Sequence, residues 1–212
     1  MKLHLPSTLT YYINLEKDKA GNQKIKDILS KHKFSDWRRA PGFPDSKKIN
    51  GVSLAHKNIL ESLRDYEKPF CVLENDVEVR KFVRTVSVPD DADALYLGVS
   101  CMGAYHGTDE RQISAEKKSK NIYRIYNMLA AHSIVYFNSD YVKEVLRVIE
   151  FCHKNNIPHD IGIAEVMKYW NVYGLNEPMF YQSGNYEKYT NLTIEQMKPV
   201  GPKDASKFLK GN

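Results

Sequence analysis

The stretch "FCVLENDVEV", residues 70–79, sets how the rest of the chain is interpreted. Its first four residues are apolar, which is typical of a short β-strand buried on both faces of a sheet. Glu74, Asp76 and Glu78 follow at once. Carboxylates at that spacing repel one another, and withdrawing them from water is costly unless a positive charge compensates. The stretch predicts a buried strand that ends where a cation is needed.

Further apolar segments alternate with amphipathic ones on both sides of this stretch. We predict helices over 23–32, from an N-cap at Ser53, after Ser139 and over 161–170, and strands over 10–15, 70–73, 94–101, 131–137 and 178–182. This alternation predicts an α/β fold with a mainly parallel sheet covered by helices on both faces. Residues 38–50 and 102–122 are interpreted as loops, the second of them mobile.

Length and composition narrow the class of protein. The 212 residues fit a single domain, and we expect the polar tail from about residue 198 to be a linker to further domains of a longer polypeptide. The net charge of +5 suits an anionic ligand without indicating nucleic acid. We find no run that spans a membrane and no signal peptide. Three widely spaced cysteines indicate buried free thiols and a cytoplasmic location.

The position of the acids in this fold suggests their chemistry. Ligands of open α/β sheets bind beyond the carboxyl ends of the strands, which is where Glu74, Asp76 and Glu78 lie. Oxygen ligands at i and i+2 can hold Mg²⁺ or Mn²⁺ and leave coordination sites open for phosphate. The alternative is that these acids are solvated loop residues. A second acidic pair, Asp91 and Asp93, precedes its strand, so we interpret it as turn residues at the opposite edge.

Six segments carry a resemblance to a known family. In chain order they are "YYINLEKD", "RRAPG", "GVSLAHKNIL", "FCVLENDVEV", "DALYLG" and "PHDIGIAEV". Over roughly residues 10–182 the chain resembles glycosyltransferases of the lipooligosaccharide and collagen galactosyltransferase type, and more closely the amino-terminal domain of multidomain chlorella virus glycosyltransferases. The resemblance implies a GT-A fold, a nucleotide-diphosphate sugar, UDP-linked in most of the group, and Mn²⁺ or Mg²⁺. The chain departs from it in having "LEND" where "LEDD" is usual, and in being short.

The resemblance also assigns roles around the acidic turn. Asp76 would bind the metal directly, Glu74 would act through water or contact the ribose, and Glu78 would be a second ligand. Asn75 would contact the donor without supplying charge. Asp160 would deprotonate or orient the acceptor hydroxyl, with His159 beside the metal or phosphate. Asp160 as a helix N-cap is the alternative.

The remaining donor contacts are expected on the first strand and the loop and helix after it. The nucleobase would lie on the end of the first strand, at Tyr11, Ile13, Asn14 and Leu15. Arg38 and Arg39 would hold phosphates, as would the start of the helix at Ser53 and His56. For each set there is an alternative: core and turn residues for the strand, solvated arginines for the loop, and a helix cap with a packed histidine for the helix.

These assignments predict a metal-dependent glycosyltransferase that moves a sugar from a UDP-sugar to a glycan hydroxyl, in glycan biosynthesis and, for a viral protein, in the host cytoplasm. Residues 102–122, with Lys117, Lys118 and Lys120, would form a lid over the donor. Two rival functions stay open. One is a metal-dependent phosphohydrolase or nucleotidyltransferase, and the other is a non-catalytic sugar-binding module.

Overall fold

The computed structural model describes residues 1–44, 48–104 and 112–202. Its strands, in chain order, are β1 Lys2–His4, β2 Leu9–Leu15, β3 Trp37–Gly42, β4 Phe70–Glu74, β5 Val77–Val79, β6 Thr85–Ser87, β7 Ala94–Tyr96, β8 Ser114–Lys117, β9 Ile122–Asn127, β10 Ser133–Tyr136, β11 Val172–Leu175 and β12 Phe180–Gln182. The helices are α1 Lys19–Lys31, α2 Lys48–Ser62, α3 Ser139–Lys154, α4 His159–Val166, α5 Glu187–Thr190 and α6 Ile194–Met197.

The central feature is an eight-stranded sheet with the order β3-β2-β4-β10-β7-β11-β9-β8. The predicted α/β class is confirmed, but the sheet is mixed. Strands β2, β3, β4, β7 and β11 share one direction, whereas β10 runs antiparallel between β4 and β7, and β9 runs antiparallel beside β11. Two small antiparallel pairs, β1 with β6 and β5 with β12, lie outside this sheet.

Alternating residues of the central strands feed two apolar cores, one on each face. In β4, Phe70 and Val72 join the core that includes Ile59 of α2 and Val145 of α3. Cys71 and Leu73 join the opposite core, which includes residues of α1. Because side chains of a strand alternate between faces, a strand covered on both sides must be apolar throughout. That requirement explains the unbroken apolar run before Glu74.

Helix α3 shows most directly how the sequence specifies an element. Its buried residues recur at helical spacing: Tyr141, Val142, Val145, Leu146, Val148, Ile149 and Cys152. Asn138 caps the helix, since its side chain accepts from the backbone N–H of Asp140. The predicted helix after Ser139 is confirmed.

Several predicted boundaries are wrong. Helix α2 begins at Lys48, so Ser53 lies inside the helix and is not its N-cap. Part of the predicted loop at 38–50 is strand β3, and Lys117 belongs to strand β8, which forms a hairpin with β9. The polar tail is ordered at its start, because Val200 exchanges backbone hydrogen bonds with Ile113 and Ala115.

The three cysteines are free thiols, as predicted. Cys71 and Cys152 are buried, but Cys101 is partly exposed. None of the helices in the described ranges combines the length and apolar character that crossing a bilayer requires.

Candidate functional site

A cleft of about 1080 Å³ opens where β2 and β4 end. It is lined by the predicted residues Ile13, Asn14, Leu15, Glu74, Asn75, Asp76, His159 and Asp160. These residues come from three distant parts of the chain, and the sheet brings them together because β2 and β4 are adjacent and parallel. The candidate site lies at the carboxyl edge of these strands, as the sequence predicts.

The turn after β4 is fixed by its central asparagine. The side-chain amide of Asn75 donates to Asn14 Oδ1 at 2.6 Å and to Asp18 Oδ2 at 2.7 Å. Asp18 is the N-cap of α1 and accepts from the backbone N–H of Gly21. A carboxylate could not make the two donations that Asn75 makes. The departure from "LEDD" therefore ties the end of β4 to the end of β2 and the start of α1.

Asp76 is oriented by the last residue of β12 and by the residue that follows it. Its Oδ2 accepts from the side-chain amide of Gln182 at 3.2 Å. Its backbone carbonyl accepts from both the backbone N–H and the hydroxyl of Ser183, at 3.1 and 3.0 Å. Fixing both the side chain and the backbone of Asp76 holds a carboxylate in the cleft, where it can meet a ligand.

Glu78, the third of the predicted acids, is paired with a lysine. It lies in β5 and forms an ion pair with Lys24 at 2.7 Å. It is absent from the described residues that line the cleft. The predicted role of Glu78 as a second metal ligand has no support in the structure.

A buried polar layer lies behind the carboxylates. His56 Nε2 is 3.2 Å from Glu74 Oε1, and Ser53 Oγ is 3.1 Å from His159 Nδ1. The two imidazole rings pack with their centroids 4.9 Å apart. Burial lowers the pKa of His56 to about 4 and, together with the neighbouring His56, that of His159 to about 3. Both rings are neutral at pH 7, so His56 fixes Glu74 by a hydrogen bond without neutralising it.

Asp160 has an environment suited to a proton acceptor. It is the second residue of α4, whose N-cap position is occupied by Pro158, so the N-cap alternative for Asp160 is wrong. Burial raises the pKa of Asp160, and the charge of Glu74 adds to the increase. The adjacent His159 and the backbone N–H of Ile161 act in the opposite direction. A carboxylate with a raised pKa binds a proton more readily than one in water.

Three of the predicted donor contacts, Tyr11, Arg38 and Arg39, are absent from the described lining of the cleft. Tyr11 is four residues before the end of β2, which places it about 13 Å from the edge at the usual rise per residue. Arg38 pairs in register with Tyr11 and lies equally far back, whereas Arg39 pairs with Tyr12, one residue nearer the edge. Arg38 contacts the Tyr11 hydroxyl, and Arg39 donates to the backbone carbonyl of Asn14 and forms an ion pair with Glu16. Neither the tyrosine nor the arginines are among the described cleft residues.

The predicted lid is only partly described. Residues 105–111 lie outside the described ranges. Lys117 forms an ion pair with Glu195, and Lys118 pairs with Glu116 at 2.7 Å. None of Lys117, Lys118 and Lys120 is among the residues described as lining the cleft. The three lysines therefore supply no positive charge to the cleft in this structure, and the closure of the segment over a donor stays a prediction.

Sequence reasoning missed several residues of the site. Asp18 had a recognisable signal, because an acid directly before an amphipathic helix is typical of an N-cap. Lys17 and Lys24 line the cleft, and Lys24 is paired there with Glu78. Gly21 also lines it, and a Cβ atom there would come within 2.4 Å of Asn75 Nδ2. Only the close approach of three segments shows why that glycine is needed.

The second acidic pair lies at the other edge of the sheet, as predicted. Asp93 directly precedes β7, is buried, and accepts from the Asn138 side chain at 2.6 Å and the Asn171 backbone at 2.7 Å. Asp91 accepts from the Tyr173 hydroxyl at 3.0 Å. Asp93 therefore stabilises the fold directly, beyond the turn role that the sequence indicates.

The donor set at the turn fits a divalent cation that is completed by phosphate. Within the ranges described, no three His, Cys, Asp or Glu side chains come close enough to hold a metal ion on their own. Mg²⁺ is ordinarily bound through one or two carboxylates together with water and substrate phosphate. Asp76 and Glu74 match that arrangement better than a cage made only of protein ligands.

Comparisons with known proteins give similarity to solved structures alone. No protein-family model matches the chain, and no curated protein matches it. A glycosyltransferase involved in the glycosylation of the major capsid of PBCV-1 is 12% identical with a TM-score of 0.45, over 73% of this chain and 72% of that one. It belongs to the chlorella virus group that the sequence resembles.

Two further solved structures are nucleotide-handling enzymes. A nucleoside-diphosphate-sugar pyrophosphorylase from Vibrio cholerae RC9 is 12% identical with a TM-score of 0.46, over 98% of this chain and 82% of that one. The CTP:phosphocholine cytidylyltransferase of Streptococcus pneumoniae is 11% identical with a TM-score of 0.44, over 96% and 78%.

Proposed function

We propose that the chain is a metal-dependent glycosyltransferase that transfers a sugar from a nucleotide-diphosphate donor, UDP-linked, to a hydroxyl group of a glycan. One observation carries the proposal. Glu74, Asp76 and Asp160 line a single cleft at the carboxyl edge of the sheet. Its volume of about 1080 Å³ lies slightly above the range of small-molecule sites, roughly 300–1,000 Å³, which leaves room for a donor and an acceptor.

Each of the three acids has a distinct role in the proposal. Asp76, oriented by Gln182, would hold Mn²⁺ or Mg²⁺ against the diphosphate, with Glu74 alongside and fixed by His56. When bound, the cation neutralises the charge that develops on the departing diphosphate. Asp160 would accept the proton of the attacking hydroxyl, since its raised pKa favours proton uptake.

Thermal shift and calorimetry with nucleotides test the donor half of the proposal. A ligand at 100 times its Kd stabilises the native state by about 2.7 kcal/mol, which is about 5–10 °C in Tm for a chain of this size. UDP and UDP-sugars should raise Tm with Mn²⁺ and lose most of the effect in excess chelator. Full UDP affinity in chelator would overturn metal dependence.

Phosphorus NMR of reaction mixtures separates the rival enzymes. A glycosyltransferase releases UDP from a UDP-sugar. A nucleotidyltransferase releases pyrophosphate from UTP and a sugar 1-phosphate, and a phosphohydrolase releases phosphate or UMP. Asp76→Asn should abolish UDP release, whereas Asp91→Asn, at the opposite edge, is the matched control and should retain it. Pyrophosphate formation without UDP release would replace the proposed function with the nucleotidyltransferase.

A further inference from the structure

The segment 183–190, "SGNYEKYT", brings two tyrosines into the cleft. Tyr186 and Tyr189 both line it. The described part of the chain leaves five large apolar side chains exposed, and among them only Tyr186, at 52% exposure, lines the cleft. An exposed aromatic ring at the mouth of a cavity is suited to contact a ligand.

Hydrogen bonds hold this segment in one arrangement. The Thr190 hydroxyl accepts from the backbone N–H of Gln182 and lies 3.0 Å from the carbonyl of Tyr186. The carbonyl of Tyr189 accepts from the backbone N–H of Cys101 at 2.9 Å. The segment begins at Ser183, which donates twice to the carbonyl of Asp76. A ligand that binds the tyrosines would therefore pay little of the usual entropic cost of ordering a loop.

Gly184 also fixes the conformation of the segment 183–190. Its φ of +71° is a conformation that side chains rarely adopt, and a Cβ atom there would meet nothing within 4 Å. The backbone turn, and not a lack of space, requires glycine at this position. The turn directs the segment back across the cleft after β12.

The strand order places the tyrosines across the carboxylates from the expected nucleotide end. Ile13 and Leu15 lie on β2, next to β3 at one side of the sheet. Asp76 follows β4, and Cys101, which anchors Tyr189, follows β7 beyond β10. The cleft thus runs from a β2–β3 end, past Asp76, to a tyrosine end.

The chemistry of the tyrosine end matches a sugar ring. A hexopyranose has an apolar C–H face and a rim of hydroxyl groups. Lys188 Nζ lies over one face of the Tyr189 ring, 4.8 Å from its centroid, where its ammonium group can donate to hydroxyl groups of a sugar. Tyr186 is solvent-exposed, while Asp160 and Gln182 line the same cleft and can contact hydroxyl groups. Aromatic faces flanked by a few polar groups are the usual composition of such a ligand site.

We propose that Tyr186 and Tyr189 form the acceptor subsite, a platform on which a hexopyranose residue of the acceptor glycan stacks with its hydroxyl toward Asp160. This inference rests on the proposed function. It adds the position and the chemical class of the second substrate. A nucleobase on the same rings is the competing occupant, and the experiment below separates the two.

Saturation-transfer NMR tests the platform with defined probes. Methyl glycosides of glucose, galactose, mannose and N-acetylglucosamine are added at millimolar concentration to the full chain with saturating UDP and Mn²⁺. We expect transfer to the carbon-bound ring protons of at least one glycoside. Tyr186→Ala should reduce it at least fivefold and Tyr186→Phe should retain it. Tyr169→Ala, which removes a tyrosine of 74% exposure that does not line the cleft, is the matched control.

The UDP affinity of each variant, measured by calorimetry, identifies which proposal an adverse result affects. UDP affinity within twofold of the parent chain, together with the fivefold loss of sugar signal, supports the acceptor subsite. The platform is overturned by no transfer to any glycoside, by equal transfer in Tyr186→Ala, or by a tenfold loss of UDP affinity with unchanged sugar signals. If the parent chain binds no UDP with Mn²⁺ yet its sugar signals depend on Tyr186, the platform stands and the proposed glycosyltransferase falls.

Discussion

Replacing Asn75 by aspartate tests whether the departure from "LEDD" is structural. The substitution keeps size and shape but converts the amide that donates to Asn14 and Asp18 into a carboxylate. Asn14 cannot turn its own amide to compensate, because its Nδ2 already donates to the carbonyls of Leu15 and Asp18. Asn75→Asp therefore loses two hydrogen bonds and places two carboxylates in contact.

The expected loss of stability is large for an isosteric change. Each hydrogen bond contributes about 1 kcal/mol. Two unit charges about 4 Å apart repel by about 4 kcal/mol at an effective dielectric constant of 20. Since Asn75 and Asp18 are half-buried, we reduce that repulsion to about 1–2 kcal/mol. The free energy of unfolding should fall by about 3–4 kcal/mol, which lowers Tm by about 10 °C in a chain of this length.

Urea denaturation at pH 7, in chelator so that no metal ion offsets the charge, measures the effect. The matched control is the charge swap Asp18→Asn with Asn75→Asp, in which the new amide donates to the new carboxylate. Asparagine remains a good N-cap for α1, so the swap should recover the charge repulsion but not the contact with Asn14. Equal stability of Asn75→Asp and the parent chain, or no recovery in the swap, would refute the argument.

Three further predictions concern the cation, helix packing and pH. Asp76→Asn should lower the transfer rate at least about 100-fold, which is the upper end of the loss caused by substituting residues that support metal ligands. The Tm of the variant without ligand should stay within about 2–3 °C of the parent value. Transfer rates near the parent value would exclude Asp76 as a metal ligand. Gly162→Ala should destabilise by about 1–3 kcal/mol, since its Cβ would lie 2.4 Å from Cys152 Sγ, whereas Gly201→Ala meets nothing within 4 Å and should be neutral in the same Tm assay. Lowering the pH from 7 to 5 should reduce the free energy of unfolding by about 2 kcal/mol for each of three buried histidines. Burial lowers the native pKa to about 4 for His56, about 4 for His132 and about 3 for His159. Between pH 7 and 5 these histidines take up protons in the unfolded chain, where their pKa is about 6.5, but not in the native state. That stability is present above pH 6.5 and is lost as the pH falls toward 4; equal urea midpoints at pH 7 and 5 would contradict it.

The sequence predicts elements whose pattern is local. Strand β4 and helix α3 are predictable because an apolar run and a 3.6-residue spacing depend only on nearby residues. Strand β3 was missed because it lies at the edge of the sheet, where it can carry Arg38, Arg39 and Pro41. The antiparallel direction of β10 was missed for another reason: a buried apolar strand has the same composition whichever way it runs.

The same distinction between local patterns and long-range packing applies to the residues of the candidate site. The carboxylates of Glu74 and Asp76 were predictable, since their position after a buried strand is visible in the sequence. The contacts of Ser53 with His159, 106 residues apart, and of His56 with Glu74 depend on how α2 and α4 pack against the sheet. No spacing in the sequence encodes that packing. Tyr11 belongs to the strand that ends at the site, but its distance from the end of β2 keeps it out of the described lining of the cleft.

The charges of the cleft give a physical reason to expect a cation. The described acidic residues that line it are Asp18, Glu74, Asp76 and Asp160, and the described lysines are Lys17 and Lys24. Lys24 is already paired with Glu78.

A diphosphate entering this cleft brings further negative charge to a surface where acids outnumber bases, and in a partly desolvated site that repulsion opposes binding. A divalent cation between Asp76 and the diphosphate would convert the repulsion into attraction on both sides. The neutral state of His56 and His159 strengthens the case, because neither ring can supply the missing positive charge at pH 7. Nucleotide binding should consequently weaken far more on removal of the cation than on neutralisation of Lys17, and calorimetry of Lys17→Gln beside chelator-treated parent chain makes that comparison directly.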